Sequence, residues 1–366
     1  MIRFFLKLQK NFLKKFNSNL KLTQKYSKII KMKSLKNFSK KSIKEYLIDN
    51  YNLINIKTIH SLPHNNINSR IYKISTHDEK ILLRFFTDGV GKYNSTPKKI
   101  EKICSIQNNC NQVGLPVQKP IVNKKGKFTD PKNNLFLTKY YDGKIFTGTR
   151  NELKNLSLNI ALLHKFLKKE KIQIQSQLDQ PIRKIISYNE LNKINDQLSN
   201  KKQNKFEKIV ARNSNFILEN LEKLQTASKQ KLNSKVQLIH NDLHPHNVIF
   251  HNGKINSFLD FNSMGIGNVM DDISFASFRF SAFKEKNPKI INQNLKLFIH
   301  EYEKISPIKK TDKKMYFDFI RKRLLKNISY ITRVKFFVDN HFLWDIDLVK
   351  NLNYLKLLSK IEAERW

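Results

Sequence analysis

The sequence predicts an α+β fold of two lobes, a small strand-rich one over residues 46–140 and a larger, mainly helical one over 141–366. Three observations point that way. Residues 69–75 and 80–86 read as strands joined by the polar turn Thr76-His77-Asp78-Glu79. One helix follows them, and then further short apolar runs. Beyond Gly143, apolar residues recur at helical spacing over long stretches. With 366 residues and 40% hydrophobic content, the chain has enough apolar material for two cores.

The first 45 residues stand apart. They carry no acidic residue before Glu45, and Phe5, Leu8, Phe12, Phe16 and Leu20 recur at helical spacing with Lys7, Lys10 and Lys14 off that stripe. This extension is expected to be disordered or an amphipathic helix, making weak contact with an anionic membrane surface or serving as a targeting segment. Translation starting at Met32 is the plainer alternative.

In the small lobe, Pro97 opens a helix whose buried side is Ile100, Ile103, Cys104 and Cys110 and which ends near Gly114. Residues 116–122 and 134–137 read as further strands. In the large lobe, Thr149-Arg150-Asn151-Glu152 has the form of a capping box, Thr149 and Glu152 each satisfying the other's backbone donor. It leads into the stripe Leu153, Leu156, Ile160, Leu163 and Leu167. Phe206, Ile209, Val210, Ile217, Leu221 and Leu224 form a second stripe. Residues 169–205 between them are polar and weakly patterned, and read as helices with long surface turns.

The net charge of +39 would suit nucleic acid, an anionic membrane or a polyphosphate ligand. The basic residues are spread through the chain without aromatic–basic motifs, so no nucleic-acid partner is expected. Two cysteines make no disulfide framework, and no apolar run is long enough to span a bilayer. No secretory signal is visible, and a reducing, cytoplasmic setting is expected.

The chemistry concentrates in His240-Asn-Asp-Leu-His-Pro-His-Asn247, flanked by the apolar strands 237–239 and 248–250, with a third strand at 255–259 that delivers Asp260. Asp242, Asn247 and Asp260 are expected to converge at one edge of a small hairpin. Phosphoryl transfer needs such a set: a carboxylate to take the proton of, or orient, the attacking hydroxyl, and hard oxygen ligands for Mg²⁺. Asn247 and Asp260 supply the ligands without crowding three carboxylates, which leaves Asp242 free to act as base.

His240-x-Asp242-x4-Asn247 followed by Asp260 resembles the signature of the aminoglycoside phosphotransferase family, which includes choline, ethanolamine, homoserine and methylthioribose kinases. The resemblance covers about residues 50–280 and implies a bilobal protein-kinase-like fold. It also implies an ATP- and Mg²⁺-dependent kinase moving the γ-phosphate to a hydroxyl of a small metabolite, with ATP in the cleft between the lobes. Gly267-Asn-Val-Met-Asp-Asp272 is similar to the family segment whose carboxylate braces the catalytic loop, and assigns that role to Asp272. Residues 135–143 resemble the hinge that binds adenine through its backbone, which places Lys139 and Tyr141 beside the nucleotide. Leu162-Leu163-His164 is similar to the helix that follows it.

Arg84 takes the position that pairs the phosphates, with Glu101 as its ion-pair partner. Ser69 follows a phosphate-covering turn, His64–Asn68, that lacks the family's usual Gly. Asn tolerates positive φ, so the turn can still form.

His240, His244, His246 and His251 also invite a zinc reading, but no Cys is near and the spacing suits no zinc module. His240 is instead expected to hold the catalytic loop through backbone contacts. Trp344 with Asp339, Asp345 and Asp347 would either line a site for a cationic substrate or pack the C-terminal helices. An acidic, aromatic pocket would favour an amino alcohol, and an available Arg would favour an acceptor with a carboxylate. Two other readings compete: an antibiotic phosphotransferase, and a non-catalytic pseudokinase or basic binding protein.

Overall fold

In the computed structural model, the described residues are 39–62, 69–86, 96–176, 184–199, 203–228, 236–337 and 343–364. The expectations for residues 1–38, for the turn at 64–68 and for Asp339 lie outside them. The described chain divides into two compact units. One holds the residues up to Glu101 together with Pro120–Tyr140, and the other holds Lys102–Lys119 and the chain from Tyr141 onward. Among the described residues, no helix is long and apolar enough to cross a membrane.

The smaller unit is an antiparallel sheet with one helix packed on it. Helix α1 (Lys40–Tyr51) precedes strands β1 (Thr58–Leu62), β2 (Ser69–Ser75) and β3 (Lys80–Phe86). Helix α2 (Pro97–Gln112) comes next, then β4 (Pro120–Ile121), β5 (Thr129–Asp130) and β6 (Leu135–Lys139). The sheet order is β1-β2-β3-β6-β4, with β5 on β6.

Helix α1 turns Ile43, Leu47 and Tyr51, spaced four apart, onto a core of Ile59, Ile74, Ile81, Leu83, Leu135 and Leu137. Residues 40–45, inside the segment read as an extension, supply the first turn of this core helix. The hairpin of β2 and β3 closes as its turn chemistry predicts, Thr76 N–H donating to the Glu79 carbonyl at 2.9 Å.

The division between the units falls within α2, at Glu101 and Lys102, so most of that helix groups with the larger unit. Its buried face is Ile100, Ile103, Cys104, Ile106 and Cys110. The expected strand at 116–122 shrinks to Pro120–Ile121. Pro116 and Val117 instead meet Phe258: its N–H donates to the Pro116 carbonyl at 2.7 Å, and its carbonyl accepts from Gln118 at 3.0 Å.

The larger unit is mainly helical: α3 (Arg150–Leu167), α4 (Tyr188–Ser199), α5 (Lys205–Ser228), α6 (Val269–Ser281), α7 (Pro288–Glu303), α8 (Lys310–Lys314), α9 (Tyr316–Phe337) and α10 (Leu343–Ala363). Two antiparallel ribbons interrupt them. Strand β7 (Val236–Ile239) pairs with β10 (Gly265–Asn268), and β8 (Val248–His251) pairs with β9 (Lys254–Phe258). The stripe on α3 is buried at all five expected positions.

The capping box forms only in half. Thr149 accepts from the Glu152 N–H, but Glu152 reaches past Thr149 to the N–H and hydroxyl of Thr147, at 2.8 and 2.7 Å.

Gly143 lets two strands of the larger unit touch. It has φ +150°, and a Cβ there would collide with the Phe250 carbonyl and lie 2.6 Å from Ile249 Cγ2. That contact carries the paired bonds between Lys144 and Phe250, at 2.9 and 2.7 Å. Gly143→Ala is therefore expected to destabilise the fold by about 3 kcal/mol, through strain and a broken bridge to Phe250 of β8. A denaturant midpoint equal to that of the wild type would refute this.

Candidate active site

The site grows out of the ribbon β7–β10. Strand β7 ends at Ile239, and the chain passes through Asn241 with φ +68° into the loop that carries Asp242. Strand β10 ends at Asn268, which caps α6 by accepting from the Met270 N–H at 2.9 Å. Pairing Gly265 with Ile239 brings the first turn of α6 under the loop, and with it Asp272.

The Asp272 carboxylate is 2% exposed and accepts from the His240 and Asn241 N–H groups, each at 2.7 Å. His164 Nε2, also buried, lies 3.2 Å from it. Tyr302 Oη is 2.9 Å from His164 Nδ1, so Nε2 bears the hydrogen that faces the acid when the tyrosine donates. Burial pushes the Asp272 carboxyl up, but the His164 hydrogen bond, the neighbouring imidazoles and the His240 N–H outweigh it and hold it below the ordinary carboxylate value.

His240, counted with the catalytic residues in the sequence reading and expected there to hold the loop through backbone contacts, has the holding role alone. It is fully buried, 4.4 Å centroid to centroid from Phe261, and cannot meet a substrate. Its Nδ1 accepts from the Asp242 N–H at 3.3 Å, and its Nε2 is 2.9 Å from the Leu259 carbonyl. A ring that accepts at Nδ1 carries its hydrogen on Nε2, so His240 ties the Asp242 peptide to the residue before Asp260.

Pro245–Asn247 forms one turn of 3-10 helix with His244 as its cap. Asn247 donates from Nδ2 to the Asp242 carbonyl at 2.8 Å and approaches Asp242 Oδ2 at 3.4 Å. Its Oδ1 accepts no hydrogen bond among the described residues. The Asn247 carbonyl accepts from the Leu259 N–H at 2.9 Å. Asp260, with φ +55°, follows directly.

Asp242, Asn247 and Asp260 thus belong to one hydrogen-bonded frame. Strand β7, for which the sequence reading named no partner, pairs with β10, while β8 and β9 form the hairpin.

Three features around Asp242 escaped the sequence. Its side chain is about a third exposed, and Arg323 Nη2 stands 3.9 Å from Oδ1 while donating to the Asn241 carbonyl at 2.5 Å. His244 Nε2 stands 3.7 Å from Oδ2. Burial pushes the His244 imidazole down to about 4, against the pull of Asp242, so it is neutral at pH 7. Asn241 Nδ2 reaches the Ser263 carbonyl at 3.2 Å. His164 had a signal, being a polar residue one turn past Ile160 on the buried stripe, whereas nothing distinguishes Arg323 from Arg321 and Lys322 beside it.

In the smaller unit, Arg84 lies on β3, opposite Ile71 and Phe136. Glu101 is not its partner. It accepts from the Phe128 and Thr129 N–H groups and from the Thr129 hydroxyl at 3.1, 2.9 and 2.6 Å, because it faces the turn before β5. Ser69 opens β2, and Lys139 ends β6 opposite Ile81.

Tyr141 belongs to the larger unit, where its hydroxyl accepts from the Lys119 N–H at 3.3 Å and lies 3.4 Å from the Val117 carbonyl. Its side chain is therefore in use, contrary to the backbone-only role expected of it. Trp344 packs edge-on against Tyr330, with centroids 5.8 Å apart.

Residues 58–302 match the model of the phosphotransferase enzyme family. No curated protein matches the sequence. Among solved structures, spectinomycin phosphotransferase in complex with ADP and spectinomycin superposes with a TM-score of 0.66 at 15% identity, covering 89% of this chain and 99% of that one. Choline kinase from Cryptosporidium parvum Iowa II gives 0.57 at 15%, covering 89% and 97%. Plasmodium vivax ethanolamine kinase gives 0.54 at 17%, covering 91% and 93%.

Proposed function

Because the chain belongs to the phosphotransferase enzyme family, as a kinase, we propose that it moves the γ-phosphate of ATP to a hydroxyl of a small metabolite with Asp242 as base. The frame around Asp242 is the observation that carries this reading. His240, Asn247 and Asp272 hold the loop backbone, which leaves the carboxylate at the surface of the site to receive a hydroxyl proton.

The donor set suits Mg²⁺. Asn247 turns its amide hydrogens to Asp242 and so presents an oxygen, and Asp260 supplies a carboxylate next to Leu259, whose N–H meets the Asn247 carbonyl. Few protein ligands are what this ion takes when phosphate oxygens complete its shell. Mg²⁺ held there would neutralise charge on the transferring phosphate. Arg84, with Ser69 and the backbone of Lys139 and Tyr141, is assigned to the nucleotide. Glu101 is not part of this assignment.

Asp260→Asn, which keeps the shape and removes the charge, is expected to raise the Mg²⁺ concentration for half-maximal ATP turnover by about tenfold or more. Acceptor-stimulated ATP consumption measured across a Mg²⁺ titration checks it. An unchanged metal requirement would remove Asp260 from the ligand set.

A further inference from the structure

The surroundings of Asp242 on the helical side are cationic, and one of the cations has no anion among the described residues. The ring of Phe275 on α6 carries two guanidinium groups, Arg323 at 4.8 Å from its centroid and Arg279 at 5.3 Å. Arg323 is engaged with the Asn241 carbonyl and faces Asp242. Arg279 is held from α10 as well, 5.1 Å from the ring of Tyr354. Yet Arg279 makes no hydrogen bond or ion pair with any described residue, and its Nε is buried without an acceptor.

A guanidinium fixed between two aromatic rings, close to a second positive charge, leaves a donor array aimed at no acceptor among the described residues. One turn before Tyr354, Lys350 projects from the same helix and likewise has no carboxylate paired with it among the described residues. Burial and then Arg279 push the Lys350 ammonium down, while Asp347 and Asp242 pull it up. His246 is pushed down by burial, Lys350 and Arg279. Geometry ties Arg279 to the same place: it shares the Phe275 ring with Arg323, whose Nη2 is 3.9 Å from Asp242 Oδ1.

We propose that Arg279, aided by Lys350, is an anion subsite beside Asp242 that receives an acid group of the acceptor. The substrate is then a hydroxylated acid, and a cationic amino alcohol or aminoglycoside would be repelled from this place. The inference rests on the phosphotransferase reading of Asp242. It assigns Arg279 to the acceptor and not to the nucleotide, since it shares the Phe275 ring with Arg323, the guanidinium that faces Asp242.

The test uses the full chain saturated with a non-hydrolysable ATP analogue and Mg²⁺. Binding is measured by calorimetry for 4-hydroxybutyrate, homoserine and glycerate, each against its amide, with choline and ethanolamine for comparison. At least one acid is expected to bind, with its amide at least about tenfold weaker. Arg279→Gln is expected to weaken that acid by about ten- to a hundredfold, as loss of a charge-assisted pair does, with Arg279→Lys recovering part of it.

Lys350→Gln, at an exposed position, should weaken it less and in the same direction, which guards against misfolding in the Arg279 variants. In turnover, the Arg279 loss should appear in KM for the acid, with KM for ATP unchanged within about twofold. Binding of no acid, a preference for the amides or the amino alcohols, or a loss that falls on ATP would each overturn the subsite. Failure to bind the analogue with Mg²⁺ would instead overturn the phosphotransferase reading, and this inference with it.

Discussion

Replacing Asp242 by Asn is expected to lower kcat by about 10²–10⁴-fold while ATP affinity and Tm stay close to wild type. The substitution preserves shape and removes only the ability to take a proton. Nearly everything that holds the loop survives it. The Asp242 N–H still meets His240 Nδ1, and its carbonyl still accepts from Asn247 Nδ2. The side-chain oxygen near Asn247, at 3.4 Å, can be an amide oxygen as well as a carboxylate. Steady-state kinetics with the best acceptor and calorimetric titration of nucleotide check both halves. Unchanged turnover would remove Asp242 as the base, and a parallel loss of ATP binding would move it to the metal–nucleotide side.

The second large effect is structural and acts one step behind the first. Asp272→Asn is expected to lower Tm by about 10 °C and to reduce kcat together with it. The two Asp272 oxygens are the acceptors for two consecutive buried N–H groups and for His164, and an amide can supply only one oxygen. Its NH₂ would face a donor in a place sealed from water, a loss on the order of several kcal/mol.

The first turn of α6 also favours the negative charge that the variant lacks. Because the folded pKa of Asp272 lies below the ordinary carboxylate value, the wild type keeps this contribution at neutral pH. It loses the contribution as pH falls below the ordinary carboxylate value and through the folded one. Thermal unfolding within about 2 °C of wild type would show that the loop does not depend on this acid.

Much of the local architecture was legible because its causes are local. Alternation and a polar turn are enough to define a hairpin, and β2 and β3 span the residues read from them. Helical spacing identified the buried face of α3 and of α2. The reciprocal capping of Thr149 and Glu152 was misread because a Thr two residues earlier offers Glu152 both a backbone and a hydroxyl donor. Glu101 was misread because its partners, the N–H groups of Phe128 and Thr129, come from a turn whose approach only the folded sheet brings about.

By itself the sequence determined the order of elements, the spacing that puts Asp242, Asn247 and Asp260 around two short ribbons, and membership of the phosphotransferase enzyme family. Those follow from turn chemistry, periodicity and short separations along the chain. Only the tertiary structure decided that His240 is fully buried and ties Asp242 to Leu259, and that Arg323 and Arg279 share the ring of Phe275. These residues lie on separate elements, and their meeting depends on how α6, α9 and α10 pack. No spacing in a linear chain encodes which of many like-charged side chains that packing brings to one ring.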